Sequence, residues 1–209
     1  TRLTDGMTQT DLQGRRVLVT GGAGFIGSHL VDALLETGAA VRVLDNLATG
    51  SLANLEHCLD RIDWHEADLR ALDACRAACA DVDLVFHQAA LGSVPRSMKD
   101  PATTLAVNLG GTANLLTAAR DAGTRRVVYA SSSSVYGDSE ELPKREGREG
   151  RVLSPYAASK RFGEELAGLF VRAFEIEAVG LRYFNVFGGR QSPEGPYASV
   201  IPRFFRGAL

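Results

Sequence analysis

Tyr156 and Lys160 form a Y-x-x-x-K pair. The apolar periodicity predicts a helix over residues 155–174, and a spacing of four puts both side chains on one face of it. A free tyrosine, with a pKa of about 10, is a poor general base near neutrality. A neighbouring ammonium favours the phenolate and would draw it toward working pH. Alone, such a pair is also what a solvated helix face looks like. Ser131, Ser132, Ser133 and Ser134 strengthen the chemical reading, because they close an apolar run at 127–130. The carboxyl ends of parallel strands are where ligands sit in an open α/β sheet. A serine hydroxyl there can hydrogen-bond the alcohol or carbonyl whose proton the tyrosine takes or returns.

A second constellation lies near the other end of the chain. Gly21, Gly24 and Gly27 give G-x-x-G-x-x-G between an apolar run and a helical pattern. The first glycine permits a tight turn and the second lets a pyrophosphate approach the backbone. The third lets helix and strand pack closely, and the helix N-terminus supplies N–H donors and a positive dipole end. The pattern alone also describes a plain turn. Asp45 ends the next apolar run and supports the dinucleotide reading. A carboxylate there accepts both adenosine-ribose hydroxyls and repels a 2′-phosphate. Asn46 follows it, not an arginine, which favours NAD over NADP.

The elements that must position these groups alternate along the chain. Strands are predicted at 17–20, 41–44, 62–67, 84–87, 127–130 and 178–182, and helices at 25–37, 72–80, 101–122 and 155–174. Asp100 suits an N-cap and Pro101 a first turn. Strands separated by helices mean βαβ units and an α/β, doubly wound, mostly parallel sheet. The strands are nearly all apolar, as expected when helices cover both faces. Residues 138–150, charged and glycine-containing, read as a surface loop, and the mixed charge of 145–151 as a solvated face.

With 45% hydrophobic and 23% charged residues among 209, the chain is not largely disordered. A formal charge of −2 suggests neither nucleic acid nor an anionic membrane as a partner. No apolar run reaches the roughly 18 residues of a membrane span. Residues 1–13 read as a polar tail or vector-derived remnant with no secretory h-region, and a cytoplasmic location is expected. Cys58, Cys75 and Cys79 are too irregular for a disulfide framework and read as reduced thiols. His29, His57, His65 and His87 show no metal-ligand spacing, so structural roles and no metal are expected.

Taken together, these residues resemble the extended short-chain dehydrogenase/reductases, specifically the NAD-dependent nucleotide-sugar epimerases and dehydratases. Within them the likeness is to 4-epimerases acting on UDP-N-acetylglucosamine or its uronic acid. The carriers are residues 20–27, Asp45 and Asn46, 67–69, 87–90, Asn108, 131–137, 154–160 and 182–188, which span nearly the whole chain from Arg15. The resemblance implies a Rossmann-type NAD-binding domain at 14–183. It adds Phe25, Ile26, Asn46, Thr49, Gly50, Gln88 and Tyr183 to the cofactor contacts. It puts Asp68 and Leu69 at the adenine, Ala89 and Ala90 along the cofactor, and Asn108 near it or bracing the sheet. Catalysis would fall to Ser132, Tyr156 and Lys160, with Ser133 as a helper, and Lys160 would also hold the nicotinamide ribose.

For the substrate, a UDP-sugar, the resemblance implies Gly92, Ser93 and Val94 near the hexose, with Ser132, Ser133 and Tyr156 at the reacting carbon. Asn185 would lie on the diphosphate side and Tyr197, Ala198 and Ser199 near the uracil. Dehydratases and decarboxylases of the family carry an acid in the segment that here reads Ser-Ser-Ser-Ser-Val-Tyr-Gly. Its absence favours epimerisation. A nucleotide-sugar dehydratase or reductase, or an NAD-binding module without turnover, are the alternatives. Family members are longer, so 184–209 is expected to be only the start of a substrate domain. A homodimer through the two long helices is implied too, with Leu105, Leu109, Phe162, Leu166 and Phe170 partly interfacial. Simple packing of those helices on the sheet is the other possibility.

Overall fold

The computed structural model describes residues 12–192, together with Phe204 and Gly207. Six parallel strands form one sheet in the order β3-β2-β1-β4-β5-β6. They are β1 (Arg16–Thr20), β2 (Ala40–Asp45), β3 (Ile62–Glu66), β4 (Leu84–His87), β5 (Arg126–Ser132) and β6 (Glu177–Tyr183). The predicted α/β doubly wound sheet is the fold found. β1 is flanked on both sides and its Val17, Leu18 and Val19 are fully buried. Alternation along the strand sends Val17 and Val19 to one face, with Val31, Leu34 and Cys58, and Leu18 to the other, with Leu115, Leu116 and Cys75. The strand order reverses between β1 and β4, so their carboxyl ends diverge and leave a crevice.

The helices are α1 (Phe25–Glu36), α2 (Leu72–Cys79), α3 (Val94–Lys99), α4 (Pro101–Leu105), α5 (Gly111–Asp121) and α6 (Pro155–Phe174). Two features depart from expectation. Residues 94–99 are helical, started by Ser93, whose Oγ accepts the Arg96 N–H, with Pro95 in the first turn. The predicted helix 101–122 is interrupted by a π-type turn, Ala106–Gly110, between α4 and α5. That turn aims Asn108 inward. Its Oδ1 accepts the Leu91 N–H at 2.8 Å, and its Nδ2 donates to Ser159 Oγ and to the Leu91 carbonyl. A single-turn bulge of this kind re-aims a side chain where a site needs it.

Phe170, expected at an interface, belongs to the core with Leu115 and Ile176. The exposed apolar side chains of α6 are instead Phe162, Leu169, Val171 and Phe174. The three cysteines are free and buried. Among the described residues no helix is long and apolar enough to cross a membrane.

Candidate active site

The glycine turn between β1 and α1 forms one wall of a cleft of about 990 Å³. Gly21 has φ +70°, and a Cβ there would lie 2.6 Å from the Ala89 backbone nitrogen. A Cβ on Gly27 would lie 2.0 Å from the Gly21 carbonyl oxygen. Only glycine lets these backbones meet. Gly24 starts α1 without any side-chain cap, so the chain itself leaves first-turn N–H donors beside the cleft. Asp45 stands at the end of β2. Its carboxylate accepts the Ala23 N–H at 3.0 Å and the Leu47 N–H at 2.8 Å. Burial pushes its pKa up, against the pull of those N–H bonds. The residue is therefore a brace of the glycine turn as well as a cleft-lining acid, with lone pairs to spare.

The cleft gathers most of the residues singled out by sequence. Gly21, Gly24, Phe25, Ile26 and Gly27 line it with Asp45, Asn46, Thr49, Asp68 and Leu69. Gln88, Ala89 and Ala90 follow, then Gly92, Ser93 and Val94. Ser132, Ser133, Tyr156, Lys160, Tyr183 and Asn185 close the far side. Two cofactor residues stand behind the wall. Gly50 packs on the turn, where a Cβ would lie 2.7 Å from the Ala23 carbonyl. Asn108 has its amide committed to Leu91 and Ser159, so it braces the wall and does not reach the cleft. Tyr197, Ala198 and Ser199 lie outside the described residues. At the adenine end expected from sequence, Asn46 donates to Asp68, which Arg70 also grips, holding the Asp68 carboxyl at about 2.

The catalytic candidates meet where β5 ends and α6 begins. Ser154 caps α6, its Oγ accepting the Ala157 N–H, and Pro155 opens the first turn, so Tyr156 is fixed in that turn. Burial pushes the Tyr156 phenol up, while a hydrogen bond from Ser132 pulls it down. Ser132 Oγ also accepts the Ser134 N–H, which sets its rotamer. Lys160 lines the cleft with Tyr156. Its Nζ donates to the Ala130 carbonyl at 2.7 Å, and burial lowers its pKa to about 8.

Behind the cleft runs a chain of hydrogen bonds. The Ala89 N–H donates to Thr20 Oγ1, His87 lies 2.7 Å from that oxygen and 2.9 Å from Thr112 Oγ1, and Thr112 donates to the Asn108 carbonyl. Because the Thr112 hydroxyl proton is already used, the network assigns His87 a proton on Nε2 and an acceptor at Nδ1. Burial lowers its pKa to about 3.

Sequence reasoning missed a second group. Glu149, expected on a solvated face, is half-buried against Arg182, which also grips Glu164. Glu164 continues the Tyr156, Lys160 spacing by one more turn, a legible signal. Glu149 carries none, since its partner is 33 residues away. Asp32, His57 and Cys58 bring their donor atoms within 4.8 Å of one another. Asp32 there pairs with His57 and with the Arg190 guanidinium, each at 2.7 Å, so the cluster is a neutralised ion-pair group.

Residues 17–209 match the profile of the NAD dependent epimerase/dehydratase family. The chain belongs to that family. A putative UDP-glucose 4-epimerase of Methanocaldococcus jannaschii is 43% identical over 190 residues, covering 90% of this chain and 61% of its own length. A UDP-N-acetyl-alpha-D-glucosaminuronate decarboxylase of Bacillus cytotoxicus is 36% identical, over 93% of this chain and 61% of its own. Among solved structures, the UDP-N-acetylglucosamine 4-epimerase of Methanobrevibacter ruminantium M1, in complex with UDP-N-acetylmuramic acid, superposes with a TM-score of 0.90 at 39% identity. It covers 94% of this chain and 63% of that one. The chain thus spans less than two thirds of the length of these epimerase/dehydratase relatives.

The family's cofactor is NAD, and the cleft suits it. Both amide atoms of Gln88, Oε1 and Nε2, are buried without a partner, although the residue lines the cleft. A polar group left so is costly unless a ligand completes it. The Gly21 and Ala89 contact and the uncapped start of α1 form the backbone cradle that a pyrophosphate needs. Gly21, Gly24 and the first turn of α1 would hold the diphosphate, and Asp45 the adenosine ribose.

Proposed function

We propose that this chain carries the NAD-binding half and the catalytic residues of a UDP-sugar 4-epimerase, which inverts C4 through a 4-keto intermediate. The observation that carries the reading is that Ser132, at the carboxyl end of β5, and Tyr156 and Lys160, on α6, line one cleft together with the glycine turn of β1 and α1. Bound NAD supplies a reversible acceptor for the hydride of C4. Tyr156, as phenolate, takes the proton of the sugar 4-hydroxyl. Ser132 steers that hydroxyl and supports the phenolate. Lys160 holds the strand end through Ala130 and would hold the nicotinamide ribose. After the keto sugar has turned over, Tyr156 returns the proton on the new face. No net oxidation results. Residues 131–137 offer no carboxylate for elimination or decarboxylation, which supports epimerisation over those reactions.

Gly92, Ser93 and Val94 are suited to the hexose and Asn185 to the diphosphate, because all four line the cleft beside the catalytic residues. Residues from 184 onward would begin the substrate half. We also propose a second copy of the chain as the partner of α6, through Phe162 and Leu169 with Leu109 and Leu166. Three buried free thiols suit a reducing cytoplasm.

The test is incubation of the full-length protein, loaded with NAD, with UDP-glucose, UDP-N-acetylglucosamine and their uronic acids, followed by separation of the C4 epimers. Interconversion without net NADH is expected. A 4-keto product, released carbon dioxide or accumulated NADH would overturn the reading.

A further inference from the structure

Two successive residues of β5 each hold one residue of α6, and a third faces one. Ala130 accepts from Lys160, Ser131 donates to Glu164 Oε1, and Ser132 lines the cleft with Tyr156, whose phenol it draws down. The first and third lie in the catalytic reading above. The second does not, and it is the most heavily built. Arg182 Nε donates to Glu164 Oε1 at 2.9 Å and Nη2 to Oε2 at 2.8 Å, a two-pronged grip. Its Nη1 donates to Glu149, and its guanidinium lies 4.8 Å over the Tyr136 ring. The side chains of Arg182, Glu149 and Glu164 are 19%, 13% and 20% exposed.

An ionic triad of this kind is a poor source of stability, since withdrawing charges from water offsets most of their attraction. What it provides is direction, because a guanidinium forked onto a carboxylate fixes both distance and angle. Its place in the fold shows what is being directed. Ser131 and Arg182 are partners across β5 and β6, and the next pair in register is Ser132 and Tyr183. Ser132 and Tyr183 line the cleft. Glu164 thus grips the pair immediately before the pair that faces the chemistry. It does so from the helix that carries the proposed base, two turns after Tyr156.

We propose that Glu164 is a positioning residue which, through Ser131 and Arg182, sets the ends of β5 and β6 against α6 so that Ser132 meets the Tyr156 phenol. Glu149 completes the clamp by pinning the 138–151 loop to Arg182. The proposal rests on Tyr156 being the proton carrier of the reaction, and its test separates the two ideas.

The experiment uses the full-length protein with Ser131→Ala, Ser131→Thr, Glu164→Gln and Tyr156→Phe. Glu164→Gln keeps the size and an acceptor but loses the charge that Arg182 grips. Ser131→Ala removes only a hydroxyl, so it decides the matter if Glu164→Gln does not fold. The readouts are NAD affinity by calorimetry, kcat and KM for epimerisation, and an ultraviolet difference titration of phenolates. The titration step of Tyr156 is assigned by its loss in Tyr156→Phe. A misplacement this close to the chemistry is expected to lower kcat by about ten- to a hundredfold in Ser131→Ala and Glu164→Gln. KM and NAD affinity should be little changed, and the Tyr156 titration should move to higher pH as the Ser132 bond loosens. Ser131→Thr should restore both. Unchanged kcat and titration would overturn the proposal. So would a loss of NAD affinity and a raised KM in step with kcat, which would mark a merely structural role. If Tyr156→Phe retained full epimerisation, the reaction mechanism would fall, while the titration shift would still judge the clamp.

Discussion

The carboxylate of Asp45 takes the backbone N–H of Ala23 at 3.0 Å, inside the turn between β1 and α1. The residue suited to reading the ribose also holds the turn suited to cradling the diphosphate. Leu47 N–H is its second donor. The two halves of the proposed adenosine diphosphate site are thereby tied through one side chain.

Asp45→Ala should therefore act twice. Leaving the buried Ala23 donor unpaired costs about 1–3 kcal/mol, and the half-buried Leu47 donor less, so the NAD-free protein should melt earlier. The lost charge-assisted bond should weaken NAD binding by about 1.5–3 kcal/mol and narrow the preference over NADP. Thermal melts and calorimetry with both cofactors measure these. Tighter binding of NADP by the unaltered protein would refute the assignment of Asp45.

Gly27→Ala and Gly24→Ala should separate fold from binding. A Cβ at 27 meets the Gly21 carbonyl at 2.0 Å, whereas at 24 it meets the same atom only at 3.1 Å. Overpacking of the first kind typically costs about 1–3 kcal/mol, occasionally more, and backbone against backbone belongs at the upper end. Gly24→Ala should keep most of the stability and lose NAD affinity. Denaturant midpoints decide it, and an undiminished midpoint for Gly27→Ala would contradict the packing described.

Tyr156→Phe keeps the ring and removes the proton carrier. Turnover should fall by at least about 10²-fold while NAD still binds. Lys160→Met should lose activity and some NAD affinity, together with the bond that ties α6 to Ala130. Steady-state kinetics beside NAD titrations give both numbers.

His87 predicts the acid limb of stability. Its folded pKa, about 3, lies below the ordinary 6.5. Between those values the unfolded chain binds more protons than the folded one, so stability rises with pH across that window. The contribution is complete above 6.5 and is lost as pH falls toward 3, by at most several kcal/mol. The cause is burial, which denies water to a charged ring, with the Lys160 ammonium adding to it. His87→Gln should flatten the slope between pH 3 and 6.5 in urea titrations. An equally steep slope in that variant would assign the acid sensitivity to other groups.

Much of the site was legible because it is written in short spacings. The glycine turn, Asp45 at a strand end and the Tyr156, Lys160 pair on one helix face depend on local geometry, and period and turn chemistry fix local geometry. The alternation of strands and helices gave the parallel sheet for the same reason. What only the tertiary structure decided lies in contacts between distant residues. The acceptor of Lys160 is a carbonyl 30 residues away, and Glu149 finds Arg182 across 33. Phe170 went to the core and Phe162 to the surface, although both sit on one amphipathic helix. The π-type turn at Ala106–Gly110 depends on what Asn108 can reach, namely Leu91 and Ser159. Spacing along a chain states which side chains share a face. Which partner each one meets is set by how the elements pack, since a buried polar group takes whatever donor or acceptor the fold brings to it.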